Sequence, residues 1–298
     1  VNAREFINML YAMIYGRGSY SPELKALGIS LYEQAREMTP GIFTDFETRR
    51  PSVPDVPSFD YKPDKELSES EEKVELLNYT PDAARSVARA ALIEYSALPT
   101  AQIEKIVADS DECSKIIKKV IDSKRKRPLE AITFTFRING VSLSCLTHFA
   151  RHRMQSVGIP SLKLTDRRKY ILPPTVAKNP ELTARYKAAF EKTAALYDDF
   201  KALGVDEGLL PYIQLSGNTV DIVTTANGRE LLLFTELRSC NRAQWEIREY
   251  AVTMLSKLRA AAPDVFKYYG PSCFVSKCPE GALTCGKAAE VCEKFKAL

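Results

Sequence analysis

Both histidines of the chain, His148 and His152, fall within one stretch, THFARHRMQSVGIPSLK, at residues 147–163. The triplet Arg151-His152-Arg153 follows a mostly apolar run, 141–150. That run reads as a buried helix carrying the triplet at its C-terminal end. Seven residues separate Arg153 from Ser161. Cations held at a half-buried helix end are unfavourable unless an anion neutralises them, and a phosphate or a nucleotide is the obvious one. A solvated basic end, its cations complementing the helix dipole, is the simpler account of the triplet taken alone.

The flanking segments predict the elements that carry this stretch. Residues 131–138 alternate and are rich in Thr, Phe and Ile, which predicts a strand; Asn139-Gly140 is expected to end it before the helix. A second strand is predicted at 73–79, KVELLNY. Thr80 and Pro81 then supply an N-cap and a first-turn proline for a helix to about residue 95. Further helices are expected at 101–123, 181–203, 227–238 and 242–261, with strands at 169–172 and 219–225. On the 181–203 helix, Tyr186, Phe190, Ala194, Tyr197 and Phe200 recur at helical spacing, as core or subunit contacts do. Strands and helices without regular alternation predict an α+β domain.

Composition excludes several classes. The hydrophobic share, 45% of 298 residues, is that of an ordinary globular chain, and no apolar run approaches the roughly 20 residues a membrane span needs. Val1 opens directly into helical pattern, without the look of a signal peptide. The net charge is only +4. The basic residues Lys118, Lys119, Lys124, Arg125, Lys126 and Arg127 lack interleaved aromatics and read as a solvated turn, open to phosphates but poor for nucleic acid. Seven cysteines is an odd number, unlike a fully paired secreted framework, and fits a reducing cytoplasm. The tail, 273–298, carries Cys273, Cys278, Cys285 and Cys292. Thiolates this close can bind zinc or an iron–sulfur cluster. The spacing holds no Cys-x-x-Cys pair, so free cysteines with small structural roles are expected and no metal site is assigned.

An internal repeat is also visible. VNAREFINMLYAM at 1–13 aligns with ANGRELLLFTELR at 226–238, so that Asn2, Arg4 and Glu5 coincide with Asn227, Arg229 and Glu230. Further on, Pro40 and Phe43 coincide with Pro263 and Phe266. Residues 1–48 are therefore expected to be the helical tail of a first copy whose body lies upstream. The stretch 49–72, with four prolines and then acidic and serine residues, reads as a linker to a second copy at 73–272.

The triplet, seven residues and then Ser161 resemble the signature of the flavin-dependent thymidylate synthases (the ThyX family). EAITFTFRINGVSLS at 130–144 and NGRELLLFTELRSCNRAQWEIREYA at 227–251 resemble that family's flanking segments, in order and distance. The resemblance implies an α+β fold with a mixed sheet flanked by helices and a helical subdomain. It implies reductive methylation of dUMP to dTMP, with FAD bound and NADPH and methylenetetrahydrofolate as co-substrates. Arg151, His152, Arg153, Glu130 and Asn227 match flavin-contacting positions, and Asn8 would be their counterpart in the first copy. Ser161 and Arg238 match the nucleotide and catalytic positions, with Lys163 and His148 on the substrate wall. Such sites form between subunits, so a homo-oligomer or a complementary ThyX-like chain is the expected partner. The sequence departs from the family in five places: His148 stands for a Gln, Ile159 for a Glu, Leu162-Lys163-Leu164 for small-Arg-Tyr, Arg125 for a His, and Pro211 near a lost arginine. Asn8 lies opposite Leu233, and Met13 opposite Arg238. Complementary losses of this kind are what a composite site would leave. The alternative is a catalytically silent copy kept for assembly or regulation.

Overall fold

Strand β2, Thr133–Ser142, is the centre of the sheet. Its alternation buries Phe134, Phe136 and Ile138 on one face. In this computed structural model, which describes residues 3–44, 46, 59, 61, 72–162, 165–206 and 208–298, the chain divides into two units, 1–69 and 70–298. In the larger unit β1, Val74–Tyr79, β3, Ser156–Gly158, and β4, Thr219–Asn227, complete a sheet of order β1-β2-β4-β3. The fold is α+β. All three pairings are antiparallel, a correction to the mixed sheet expected.

Asn139-Gly140 does not end β2. The pairing with β4 instead shifts between Ile138 and Val141, a bulge that Gly140 permits with φ +69°. Asp221 stabilises it by accepting from Gly140 N–H at 2.9 Å and from Arg137 at 3.1 Å. Thr80 does not cap the first helix of this unit either. Its hydroxyl accepts from Thr133 N–H at 2.9 Å, and the helix, Ala83–Tyr95, begins after Asp82 in the left-handed region. The single helix expected at 101–123 is two, Thr100–Val107 and Ser110–Asp122. Asp109 divides them because its carboxylate accepts from Asp111 and Glu112 N–H, a new N-cap. At 169–172 only an isolated bridge, Tyr170 to Asn218, is present.

Helix α6 spans Leu143–Phe149 and helix α7 Pro180–Ala202; the two before them in this unit's second pair are α4 and α5, and Ala83–Tyr95 is α3. Helices α8, Gly228–Arg238, and α9, Trp245–Ala261, cover the apolar side of the sheet. Leu231, Phe234, Ile247, Met254 and Leu258 join Phe134, Phe136 and Phe266 in one buried cluster.

The smaller unit holds α1, Ala3–Ile14, and α2, Pro22–Met38, around Ile7, Leu10, Ile14, Phe43 and Phe46. Its elements parallel α8, α9 and the turn that follows α9 in the larger unit. The helices α2 and α9 are each 17 residues long. Each N-cap side chain accepts from the amide three residues on, Ser21 from Leu24 and Gln244 from Ile247. Thr39 has φ −142° and ψ 65°, and Ala262 has φ −146° and ψ 69°. Each of these two residues leads into a single turn opened by proline, Pro40–Phe43 and Pro263–Phe266. Asn2, the side chain of Arg4 and nearly all of the expected 49–72 linker lie outside the described residues.

Candidate functional site

Ser142 ends β2 and caps α6, its hydroxyl accepting from Cys145 N–H at 3.0 Å. Glu246 of α9, itself buried, fixes this corner by accepting from Ser142 N–H at 2.8 Å and from its hydroxyl at 2.6 Å. The helix that follows is short. The Arg-His-Arg triplet therefore lies not on the helix end, as its apolar lead suggested, but in the turn just beyond it. His152 N–H closes that turn on the Phe149 carbonyl at 3.0 Å, and the Gln155 side chain donates to the same carbonyl at 2.9 Å. Arg151 and Arg153 are exposed, and His152 between them is buried.

His152 joins two charged residues of α8. Its Nδ1 lies 2.9 Å from Glu230 Oε1, and Arg238 Nε donates to its Nε2 at 2.9 Å. An arginine N–H only donates, so Nε2 carries the lone pair and Nδ1 the proton that meets Glu230. Phe234 packs edge-on to the ring, centroids 5.0 Å apart. Burial, opposed by the hydrogen bond His152 donates to Glu230 and reinforced by the Arg238 charge, holds the His152 pKa below its ordinary value. Burial also lowers that of His148, which is half-buried, and the Arg238 and Arg151 charges add to the effect. Arg238 is itself lowered by burial and then by Arg151. Two cations and two neutral imidazoles thus crowd one corner, which favours an incoming anion.

A second group lies where β2 begins. Thr133 pairs with Asn227, so Glu130, three residues earlier, faces the start of α8. Its carboxylate binds Arg229 at 2.6 Å. Asn227 caps α8, accepting from Glu230 N–H at 2.9 Å. Gly228 is required here, since a Cβ would come within 2.6 Å of the Leu129 carbonyl. A cleft of about 370 Å³ opens between Glu130, Asn227, Arg229, Lys126, Met154 and Leu232. The sequence placed Lys126 only in a basic run open to phosphates and Arg229 only in the internal repeat, and assigned neither to a site.

Ser161 is exposed beyond β3, and Ile159 is exposed two residues before it. The Leu162 carbonyl, next to Ser161, is held by two side chains. Arg167, buried, donates to the Leu162 carbonyl at 2.9 Å and lies 3.9 Å over the Tyr197 ring, while Gln214 reaches the same carbonyl at 3.1 Å. No sequence signal marked Arg167. Lys163 and Leu164 lie outside the described residues, and Pro211 opens a turn at Leu210–Ile213. Asn8 is exposed on α1 in the smaller unit.

Among the described residues no helix is long and apolar enough to cross a membrane. Residues 75–264 match the family model described as Thy1, thymidylate synthase complementing protein. The flavin-dependent thymidylate synthase of Clostridium tetani is 34% identical over 237 residues, 74% of this chain and 95% of the relative. That of Geobacter sulfurreducens is 35% identical over 229 residues, 75% of this chain and 98% of the relative. The fold is shared with a UMP/dUMP methylase, PolB, from Streptomyces cacaoi, solved with 5-Br dUMP: TM-score 0.57, 17% identity, covering 65% of this chain and 92% of that one. The chain belongs to the flavin-dependent thymidylate synthase family.

Proposed function

We infer that this chain is a flavin-dependent thymidylate synthase that methylates dUMP to dTMP, with FAD bound and NADPH and methylenetetrahydrofolate as co-substrates. The observation that carries the reading is the line Glu230–His152–Arg238, which holds an arginine by Nε at the signature turn. Held there, Arg238 presents its terminal N–H fork to a phosphate or a uracil oxygen, where a fixed cation stabilises charge developing on the ring. Arg151, His148, Ser161 and Lys163 complete the proposed nucleotide wall.

The cleft at the start of α8 suits a flavin by its donor set: Lys126 and Arg229 are cationic, Met154 and Leu232 apolar, and Asn227 is an amide. Arg151 and Arg153 are exposed beside it in sequence and suit a diphosphate, which arginine binds bidentately. When bound, the flavin supplies the reducing electrons of the methylation. Glu130 and Asn227 would hold it, the first already paired with Arg229.

The tandem reading is proposed on the same footing. Residues 1–48 are the tail of a first copy, which the matched helix lengths and the matched Thr39 and Ala262 dihedrals support. The composite site that follows would draw Asn8 toward a flavin, in a homo-oligomer or with a complementary chain. A cytoplasmic setting accords with seven free thiols.

The deciding experiment is the visible spectrum of the purified chain, then titration with FAD and dUMP and an assay for dTMP. A yellow protein whose flavin spectrum shifts on adding dUMP is expected. A colourless protein that takes up neither ligand would leave the silent-copy reading in its place. Full flavin content in Asn8→Ala would remove the composite site alone.

A further inference from the structure

Three separate stretches of the chain bring four thiols to one cavity, of whose lining the proposed reaction uses Arg238 and none of the thiols. The cavity, about 260 Å³, is lined by Cys240, just past α8, and by Cys273, Cys278 and Cys285 of the tail. Cys292 is not part of this lining, and its Sγ donates to the Cys273 carbonyl at 3.3 Å. All four lining thiols are half-buried and reduced.

Two of the four sulfurs meet N–H donors. Arg242 N–H points at Cys240 Sγ at 3.4 Å, and the Asn241 side-chain amide at Cys285 Sγ at 3.9 Å. N–H donors to sulfur are the outer-shell partners that metal-bound thiolates use. Arg242 also clamps the two sides together, donating to the Leu283 carbonyl at 2.7 Å and to that of Thr284 at 3.3 Å. Gly286, with φ +71°, turns the chain directly after Cys285. Arg238 and Arg242 line the same cavity together with Glu236 and Glu280.

We propose that Cys240, Cys273, Cys278 and Cys285 bind one zinc ion as a tetrathiolate that staples the tail to the end of α8. As the side chains stand, no three metal-binding groups among the described residues converge on a point. Binding therefore turns the thiols about χ1 into the cavity. Four Zn–S bonds form, and each thiol gives its proton to solvent. Cys240 lies outside the tail whose spacing the sequence offered, and Cys292 within that tail is not in the proposed set.

The test uses the full chain, reduced, stripped with a chelator and titrated with Co²⁺. One equivalent should give thiolate-to-cobalt charge transfer with the strong visible bands of a tetrahedral site, and one equivalent of Zn²⁺ should abolish them. On the unaltered chain, zinc should shield Cys240, Cys273, Cys278 and Cys285 from alkylation, read peptide by peptide, and leave Cys292 reactive. Cys292→Ser should keep the cobalt spectrum, whereas Cys278→Ser should lose it. The proposal is overturned if cobalt gives no tetrahedral bands or if zinc shields none of the four. Isolation of the four as two disulfides that take up no metal after reduction would overturn it equally.

Discussion

His152 transmits a carboxylate's pull to an arginine without carrying charge itself. Glu230 is therefore a positioning residue for Arg238, acting through the imidazole. Glu230→Ala leaves a buried Nδ1–H without its acceptor, a loss of about 1–3 kcal/mol. The dissociation constant for dUMP should rise about tenfold, which corresponds to about 1.4 kcal/mol. Glu230→Gln, whose amide oxygen still accepts, should recover most of it. Equal affinity in all three proteins, by titration, would show that Arg238 needs no such support. The same burial predicts a pH dependence. Both histidines are held below their ordinary value, so the unfolded chain binds protons that the folded one refuses as pH falls through about 6.5. Stability from this source is full above that point and is lost on acidification. Melting temperatures measured from about pH 7.5 to 5.5, above the carboxylate range, should fall, and His152→Gln should flatten the slope.

Helix α8 serves both proposed sites from its two ends, Asn227 at one and Arg238 at the other. The cap and the proposed flavin contact can be separated. Asn227→Ala should destabilise the chain by about 1 kcal/mol, and Asn227→Ser should restore stability because serine also caps. If the amide meets the flavin, FAD affinity should drop in both variants; retention in the serine variant would assign Asn227 to the helix alone. Gly228→Ala should be worse than either, by about 1–3 kcal/mol of overpacking, since its Cβ meets a backbone carbonyl. At this scale the order of elements was legible because apolar periodicity reports burial. The errors came where one side chain had two uses. Thr80 was read as a cap and serves a strand neighbour instead. Asn139-Gly140 was read as a stop, yet Asp221 accepts its N–H and the strand runs on. The pairing of His152 with Glu230 spans 78 residues, and no local pattern reports a contact of that range.

The two units differ in what holds them. The larger has a contiguous core running from Val74 to Phe295, whereas among the described residues the smaller closes on five buried apolar side chains, few for independent stability. A protease site placed within 51–58 should release a C-terminal fragment, beginning within 52–59, that melts cooperatively. The smaller fragment should lose its helical signal unless another chain covers it. Exposed Met9, Leu24 and Leu27 on that unit agree with a need for cover. A fragment 3–46 that melts cooperatively alone would contradict this. The proposed duplication was legible because Asn, Arg and Glu recur at one offset and Pro and Phe at another; the equal lengths of α2 and α9 were not, since the first helix and the loop after it are each one residue longer in the smaller unit.

Strand β3 is only three residues long and pairs on one side, Ser156 to Thr225 through Gly158 to Val223. It moors the signature turn to the sheet and stops two residues short of Pro160. Backbone amides up to Gly158 should therefore exchange with deuterium slowly, and those from Ile159 onward quickly. Arrival of a nucleotide at Ser161 would then register as a lengthening of the protected tract past residue 158, with the tract before it unchanged.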